Sequence, residues 1–235
     1  MIPPGVHRAR EGVLRFEQCM ALLLGVAAAS ASHAAGGHHA VDDAALLEPG
    51  RCQIETWHDH GLGTGRSLLH VGPACRVGAV ELGVDVNRVR AAGSGTTTVT
   101  GAQVKWARAI NADWSAGVVF GVAGHDGAPQ FLGSALVVPV TWKASETLLA
   151  HANIGRDFRH GQSDSRRTGI ALEWTALATA SFVAERFDEG GASFWRAGAR
   201  WAITPALDFD ISRASGLGHA GSAWWTVGLT WVFSR

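Results

Sequence analysis

The sequence predicts an all-β protein: a single antiparallel up-and-down transmembrane β-barrel of about twelve strands. Three observations predict it. Apolar and polar residues alternate with period two through most of the chain, connections between the alternating segments are short and long in turn, and tryptophans cluster at segment ends. The stretch VELGVDVNRV (80–89) shows the first: Val80, Leu82, Val84 and Val86 alternate with Glu81, Gly83, Asp85 and Asn87. A soluble sheet turns its apolar face to a core, whereas a barrel in a membrane turns it to lipid and encloses the polar face.

The N-terminus comes first in chain order. Arg8, Arg10 and Arg15 precede the apolar run MALLLGVAAASASHA, which ends in small residues. This reads as a secretory signal peptide over 1–34, cleaved after Ala31 or Ala34; the run is too short for a membrane anchor. Cys19 lies before that run, so Cys52 and Cys75 remain in the mature chain, and an even pair in an exported protein predicts a disulfide. Residues 35–50, AGGHHAVDDAALLEPG, lack alternation and read as a flexible periplasmic tail. His38 and His39 within it carry no further ligand spacing, so no metal site is predicted.

The barrel occupies 51–235. Its strands are expected at 51–58, 66–76, 79–89, 97–110, 114–123, 130–143, 147–156, 166–175, 178–187, 193–202, 206–213 and 222–234. The first two are ambiguous, because Glu55 and Trp57 share a face and Pro73 interrupts the second. Short links (VG, NAD, ASE, AL, TPA) alternate with longer ones (DHGLGTG, RAAGSGT, GHDGAPQ, RDFRHGQSDSR, DEGGAS, ASGLGHAGS). Outer-membrane barrels keep short periplasmic turns and longer extracellular loops. Trp106, Trp114, Trp142, Trp174 and Trp201 fall near short turns, and Trp57, Trp195, Trp224 and Trp225 near long loops, giving two aromatic girdles.

The outward set is aliphatic and aromatic: Trp114–Val122, Leu148–Ile154, Ile170–Trp174, Trp195–Trp201, Leu207–Ile211 and Trp225–Phe233, each read at every second residue. The inward set is Glu81, Asp85, Asn87, Gln103, Lys105, His151, Asn153, Glu173, Glu185, Arg196, Arg200, Asp208 and Asp210. Arg200 is expected to face Asp208 across the 202–206 turn. A barrel leaves no backbone edge, as hydrocarbon requires.

The last strand, SAWWTVGLTWVF, together with LLAHANIG and ALDFDISRASG, resembles proteobacterial outer-membrane β-barrel proteins, in particular uncharacterised porin-like proteins and the group loosely linked to aromatic-compound degradation. The resemblance covers 51–235 and implies the Gram-negative outer membrane, contact with its lipid, and recognition of the C-terminal strand by the barrel assembly machinery. In that family the last residue is commonly Phe; here Ser234 and Arg235 follow Phe233. No functional residues carry over.

Two functions fit such a lumen. An open one passes small solutes in a porin-like way, its charges setting a field across the pore. A closed ion-pair network instead makes a plugged structural or surface-interaction barrel, since twelve strands lie between filled and open sizes. A lipid-modifying enzyme ranks third. His151 and Asn153 share a strand face and Ser181 and Ser212 are inward, but no G-x-S-x-G occurs. No enzyme activity and no cofactor are predicted. Loop residues His58, His60, His125, His160 and His219 read as solvated, and GLGTG (61–65) lacks the helix and Lys of a phosphate cradle. The net charge of zero and pI near 7.2 give no footprint for nucleic acid.

Overall fold

The computed structural model describes residues 37–62, 65–91, 93–126, 131–218 and 223–235. The expected signal peptide lies outside them. Twelve strands form one closed antiparallel barrel, each paired with its sequence neighbours and β1 closing on β12. They are β1 (Arg51–Leu62), β2 (Ser67–Val77), β3 (Val80–Ala91), β4 (Ser94–Ala109), β5 (Trp114–His125), β6 (Phe131–Lys143), β7 (Leu148–Arg159), β8 (Ser165–Leu177), β9 (Ala180–Glu189), β10 (Ala192–Thr204), β11 (Leu207–Gly216) and β12 (Ala223–Ser234). The shortest strands have 10 residues and the longest 16, against the roughly 9–11 a tilted strand needs to cross hydrocarbon.

Alternation sets the facing. Val84 is 56% exposed on the outer surface, while Glu81, two positions out of phase, is 7% exposed inside. Ile154, Ile170, Leu172, Phe182, Phe209, Val227 and Leu229 extend the exposed apolar band around the outside. A surface of this kind meets acyl chains, and the closed ladder leaves no strand edge unpaired, so the chain is a membrane-spanning β-barrel.

Most strands run further toward the long-loop end than the sequence pattern indicates. As a result the β3–β4 and β9–β10 connections shrink to two residues, 92–93 and 190–191, and the long-short rule is not strict. Hydrogen bonding persists into these Gly-containing segments: Gly190 and Gly191 take φ of 61° and 86°, and so turn the chain where a side chain would be strained. Pro73 in β2 and Pro139 in β6 lie at gaps in the pairing, because neither can donate to the ladder.

Trp106, Trp114, Trp142, Trp174, Trp195, Trp201 and Trp225 are outward and exposed, with Trp231 added at the short-turn end. Trp114 stacks on Trp142 at 5.7 Å and Trp174 on Phe182 at 6.0 Å. Trp57 is a correction. It pairs with Gly228 and His70 and stacks on the buried His70 ring at 3.4 Å, so it faces the interior. The shared face of Glu55 and Trp57 is thus the inner one. Trp224 is also inward, packed edge-to-face on Phe194.

Cys52 and Cys75 are directly opposed on β1 and β2 and form a disulfide with an S–S distance of 2.04 Å.

Candidate functional site: the barrel lumen

The inner wall is polar around most of its circumference. Glu81, Lys105, His151, Asn153, Glu173, Glu185, Arg196, Arg200, Asp208 and Asp210 are all buried there. Asp85 and Asn87 on β3 are half-buried, and Gln103 on β4 faces inward yet stays exposed. Period two puts these side chains inside; what fills the space between them comes from elsewhere in the chain.

The N-terminal segment does so. It was expected as a flexible periplasmic tail, and its described residues, from Gly37 onward, instead run inside the barrel. Val41 is fully buried, Asp43 is 2% exposed and Ala44 3%. From the short-turn end inward, Arg76 Nη1 donates to Leu47 O (2.8 Å) and Leu47 N to Glu81 Oε2 (3.0 Å). Ala44 N donates to Thr141 Oγ1 (2.9 Å). Lys105 Nζ reaches Oδ1 of both Asp42 and Asp43 at 2.8 Å. Asn153, with its amide turned nitrogen toward the carbonyls, donates to Asp42 O (2.9 Å) and accepts from Asp42 N (2.7 Å). Glu185 accepts from Val41 N (2.9 Å) and Ala40 N (3.2 Å), and Glu55 from Gly37 N (2.9 Å). The physical reason is satisfaction of polar groups. A segment without strand alternation has free N–H and C=O groups, and a lumen rich in carboxylates, Arg and Asn partners them.

Part of the wall is apolar. Val41 packs with Ala171 and Phe187, flanked by Ala40, Phe194 and Trp224. Gly169 makes room: a Cβ there would lie 2.5 Å from Val41 Cγ2. Arg196 spans this patch, with its guanidinium 5.4 Å from the Phe187 ring, 3.2 Å from Glu185 Oε1, and bonded through Nη1 to His38 O.

Ion pairs brace the wall behind the segment. Arg200 faces Asp210, not Asp208 as the sequence spacing implied, with Nε 2.8 Å from Oδ1. The turn carries an irregularity of one residue between Ala202 and Thr204, and beyond it Asp208 pairs with Ala202 and Asp210 with Arg200, two positions from the expected partner. His151 Nδ1 meets Thr141 Oγ1 at 2.9 Å, and its Nε2 lies 3.7 Å from Glu173.

The side formed by β3–β5 is less filled. Asp85, Asn87, Gln103, Val119 and Gly121 keep accessible surface on the interior. Asn87 donates to Asp85, and its oxygen meets His70 Nδ1 at 2.7 Å. Sequence reading missed several lumen groups: Glu55, Asp59 and His70, and the inward aromatics Phe187, Phe194 and Trp224. The alternation of Glu55, Trp57 and Asp59 was a usable signal, and for the aromatics the signal was phase: Phe187, Phe194 and Trp224 stand two residues from the inward Glu185, Arg196 and Thr226.

The loop histidines do not converge. His58 and His60 are exposed on β1 with rings 6.4 Å apart, His160 sits edge-on to Phe131, and His219 lies outside the described residues. Residues 63–64 of GLGTG also lie outside them.

Comparison with solved structures places the chain beside porins. The KdgM porin superposes with a TM-score of 0.65 at 10% identity, covering 77% of this chain and 99% of that one. A second KdgM structure, in complex with disordered oligogalacturonate, gives 0.61 at 10% identity with the same coverages. The NanC porin gives 0.57 at 11%, covering 76% and 98%. At these identities the likeness is one of fold. No curated protein matches the sequence. Residues 22–233 match the family described as "Uncharacterised conserved protein UCP029691".

Proposed function

The chain belongs to the uncharacterised family UCP029691, and from its lumen we propose a barrel that passes small solutes across the outer membrane, narrowed from within by its own N-terminal segment. The observation that carries this reading is the uneven filling of the lumen. The segment engages Glu185, Arg196 and Ser212 across the lumen and meets β3 and β4 only near the short-turn end, through Glu81 and Lys105, while Asp85, Asn87, Gln103 and Gly121, further along β3–β5, keep accessible surface. Glycines 83, 101 and 121 line that side and remove side-chain bulk.

Charge bears on the solute. On the inner wall, Glu55, Glu81, Asp85, Glu173, Glu185, Asp208 and Asp210 stand with Lys105, Arg196 and Arg200. The excess of carboxylates opposes a polyanion and suits cationic or neutral solutes. This separates the chain from the oligogalacturonate-bound neighbour in substrate class while the fold is shared. His151 and Asn153 serve the wall and the segment, through Thr141 and Asp42, which argues for a channel and not an enzyme. Assembly through the C-terminal strand fits the outward Trp225, Val227, Leu229 and Trp231 that it presents.

Planar-bilayer conductance tests the reading. The folded full chain is expected to give small steps with cation preference, and a variant lacking residues 37–47 larger ones. Silence from the full chain with current from the deletion supports a sealed barrel, the second reading, which the many polar contacts of the segment favour. Silence from both overturns solute passage.

A further inference from the structure

We propose that His38, His39 and Asp210 form a site for a divalent late first-row metal ion, Zn²⁺ or Ni²⁺ by class, that stitches the N-terminal segment to the lumen wall. One donor atom from each residue lies within 4.8 Å of the others. Tetrahedral Zn²⁺ at bond lengths of about 2.0–2.2 Å needs donors roughly 3.4 Å apart. Rotation of the His39 ring toward the fixed His38 ring narrows that difference.

A second observation points to a ligand. His38 Nδ1 is a buried side-chain atom without a hydrogen-bond partner, and His39 Nδ1 lies 3.5 Å from Glu185 Oε1, a carboxylate that offsets the charge of a bound cation. His38 already uses Nε2 toward Ser212 Oγ at 2.6 Å, which fixes its ring and leaves the other nitrogen as the free donor. The two rings stack with centroids 4.5 Å apart. A buried imidazole nitrogen with no partner has a desolvation cost that a metal ion removes, and a hydrogen bond on the far nitrogen is the usual companion of a ligating histidine. Imidazole and carboxylate together suit Zn²⁺ and Ni²⁺ over Ca²⁺ or Mg²⁺.

The surrounding charge permits a cation. Arg200 holds Asp210 Oδ1 and Arg196 reaches the His38 carbonyl, while Glu55 and Glu185 lie against the same segment through Gly37 N and Val41 N. The sequence could not show this site: the His pair carries no ligand spacing, and its third member stands 171 positions later on β11, a separation read from the numbering of His39 and Asp210.

Calorimetric titration of Zn²⁺ into the chelator-stripped full barrel in detergent micelles tests the proposal. The expected result is one Zn²⁺ per chain, with affinity falling at least tenfold in His39→Ala and in Asp210→Asn and unchanged in His58→Ala/His60→Ala. Amide exchange of residues 37–41 is expected to slow on Zn²⁺ addition. Heat-modified gel mobility verifies folding, and His39→Gln, which leaves the Arg200–Asp210 pair intact, covers the case in which Asp210→Asn fails to fold. No binding, or equal binding by a His38→Ala/His39→Ala variant, overturns the site. The titration reads no current, so its result is separate from that of solute passage.

Discussion

Lys105, on the inner wall of β4, holds Asp43 of the N-terminal segment at 2.8 Å with both side chains almost wholly buried. The same Nζ also meets Asp42. One wall cation thus anchors two consecutive carboxylates of the segment.

Removing that cation leaves two carboxylates buried without a counter-charge. Breaking a buried pair costs about 3–5 kcal/mol. Lys105→Met is therefore expected to release the segment while the barrel persists, seen as fast amide exchange across residues 41–47 and a larger bilayer current. Unchanged exchange in this variant would show that the pair does not hold the segment.

The apolar contact makes a smaller, separable contribution. Val41→Ala removes two methyl groups from the patch of Ala171 and Phe187, an expected loss of about 2 kcal/mol in segment docking. Gly169→Ala places a Cβ against Val41 and acts in the same direction. Limited proteolysis at the segment should rise in both. Resistance equal to the parent chain contradicts the packing described.

Facing in the last strand gives a paired test. Leu229 is exposed on the outer surface and Thr230 is 8% exposed inside. Leu229→Arg puts a charge into hydrocarbon and should cost about 2–4 kcal/mol near mid-membrane, read as a lower urea midpoint for unfolding in liposomes. Thr230→Arg should leave the membrane surface unchanged but displace Gly37, which packs near it. Equal midpoints for the two would contradict the inside-out arrangement.

The disulfide closes a separation of 23 residues spanning β1 and β2. Chain-entropy arguments give about 3 kcal/mol for a loop of this length. Cys52→Ala/Cys75→Ala should lower the unfolding midpoint by that order and leave conductance unchanged, since the bridge lies outside the lumen. An altered conductance would tie the bridge to the pore.

Architecture was legible because period two is a local property: a lipid-facing Leu82 beside an inward Glu81 is written in adjacent positions. Trp57 broke the rule of aromatic-outward reading because its ring stacks on His70, a partner identified only by pairing β1 with β2. Arg200 was assigned to Asp208 because spacing counts residues, while the register irregularity that selects Asp210 depends on how the turn packs.

The sequence alone determined the class of fold, the outward apolar band and the identity of the disulfide pair, since each follows from the spacing of residues or the arithmetic of their number. Tertiary structure decided what the lumen contains. Residues 37–47 carry no periodicity that assigns them a place, and they sit inside because wall groups from β1, β3, β4, β9 and β11, distant in sequence, converge on their unpaired backbone and carboxylates. Burial of polar groups is settled by partners, and partners of this kind exist only once the barrel has closed.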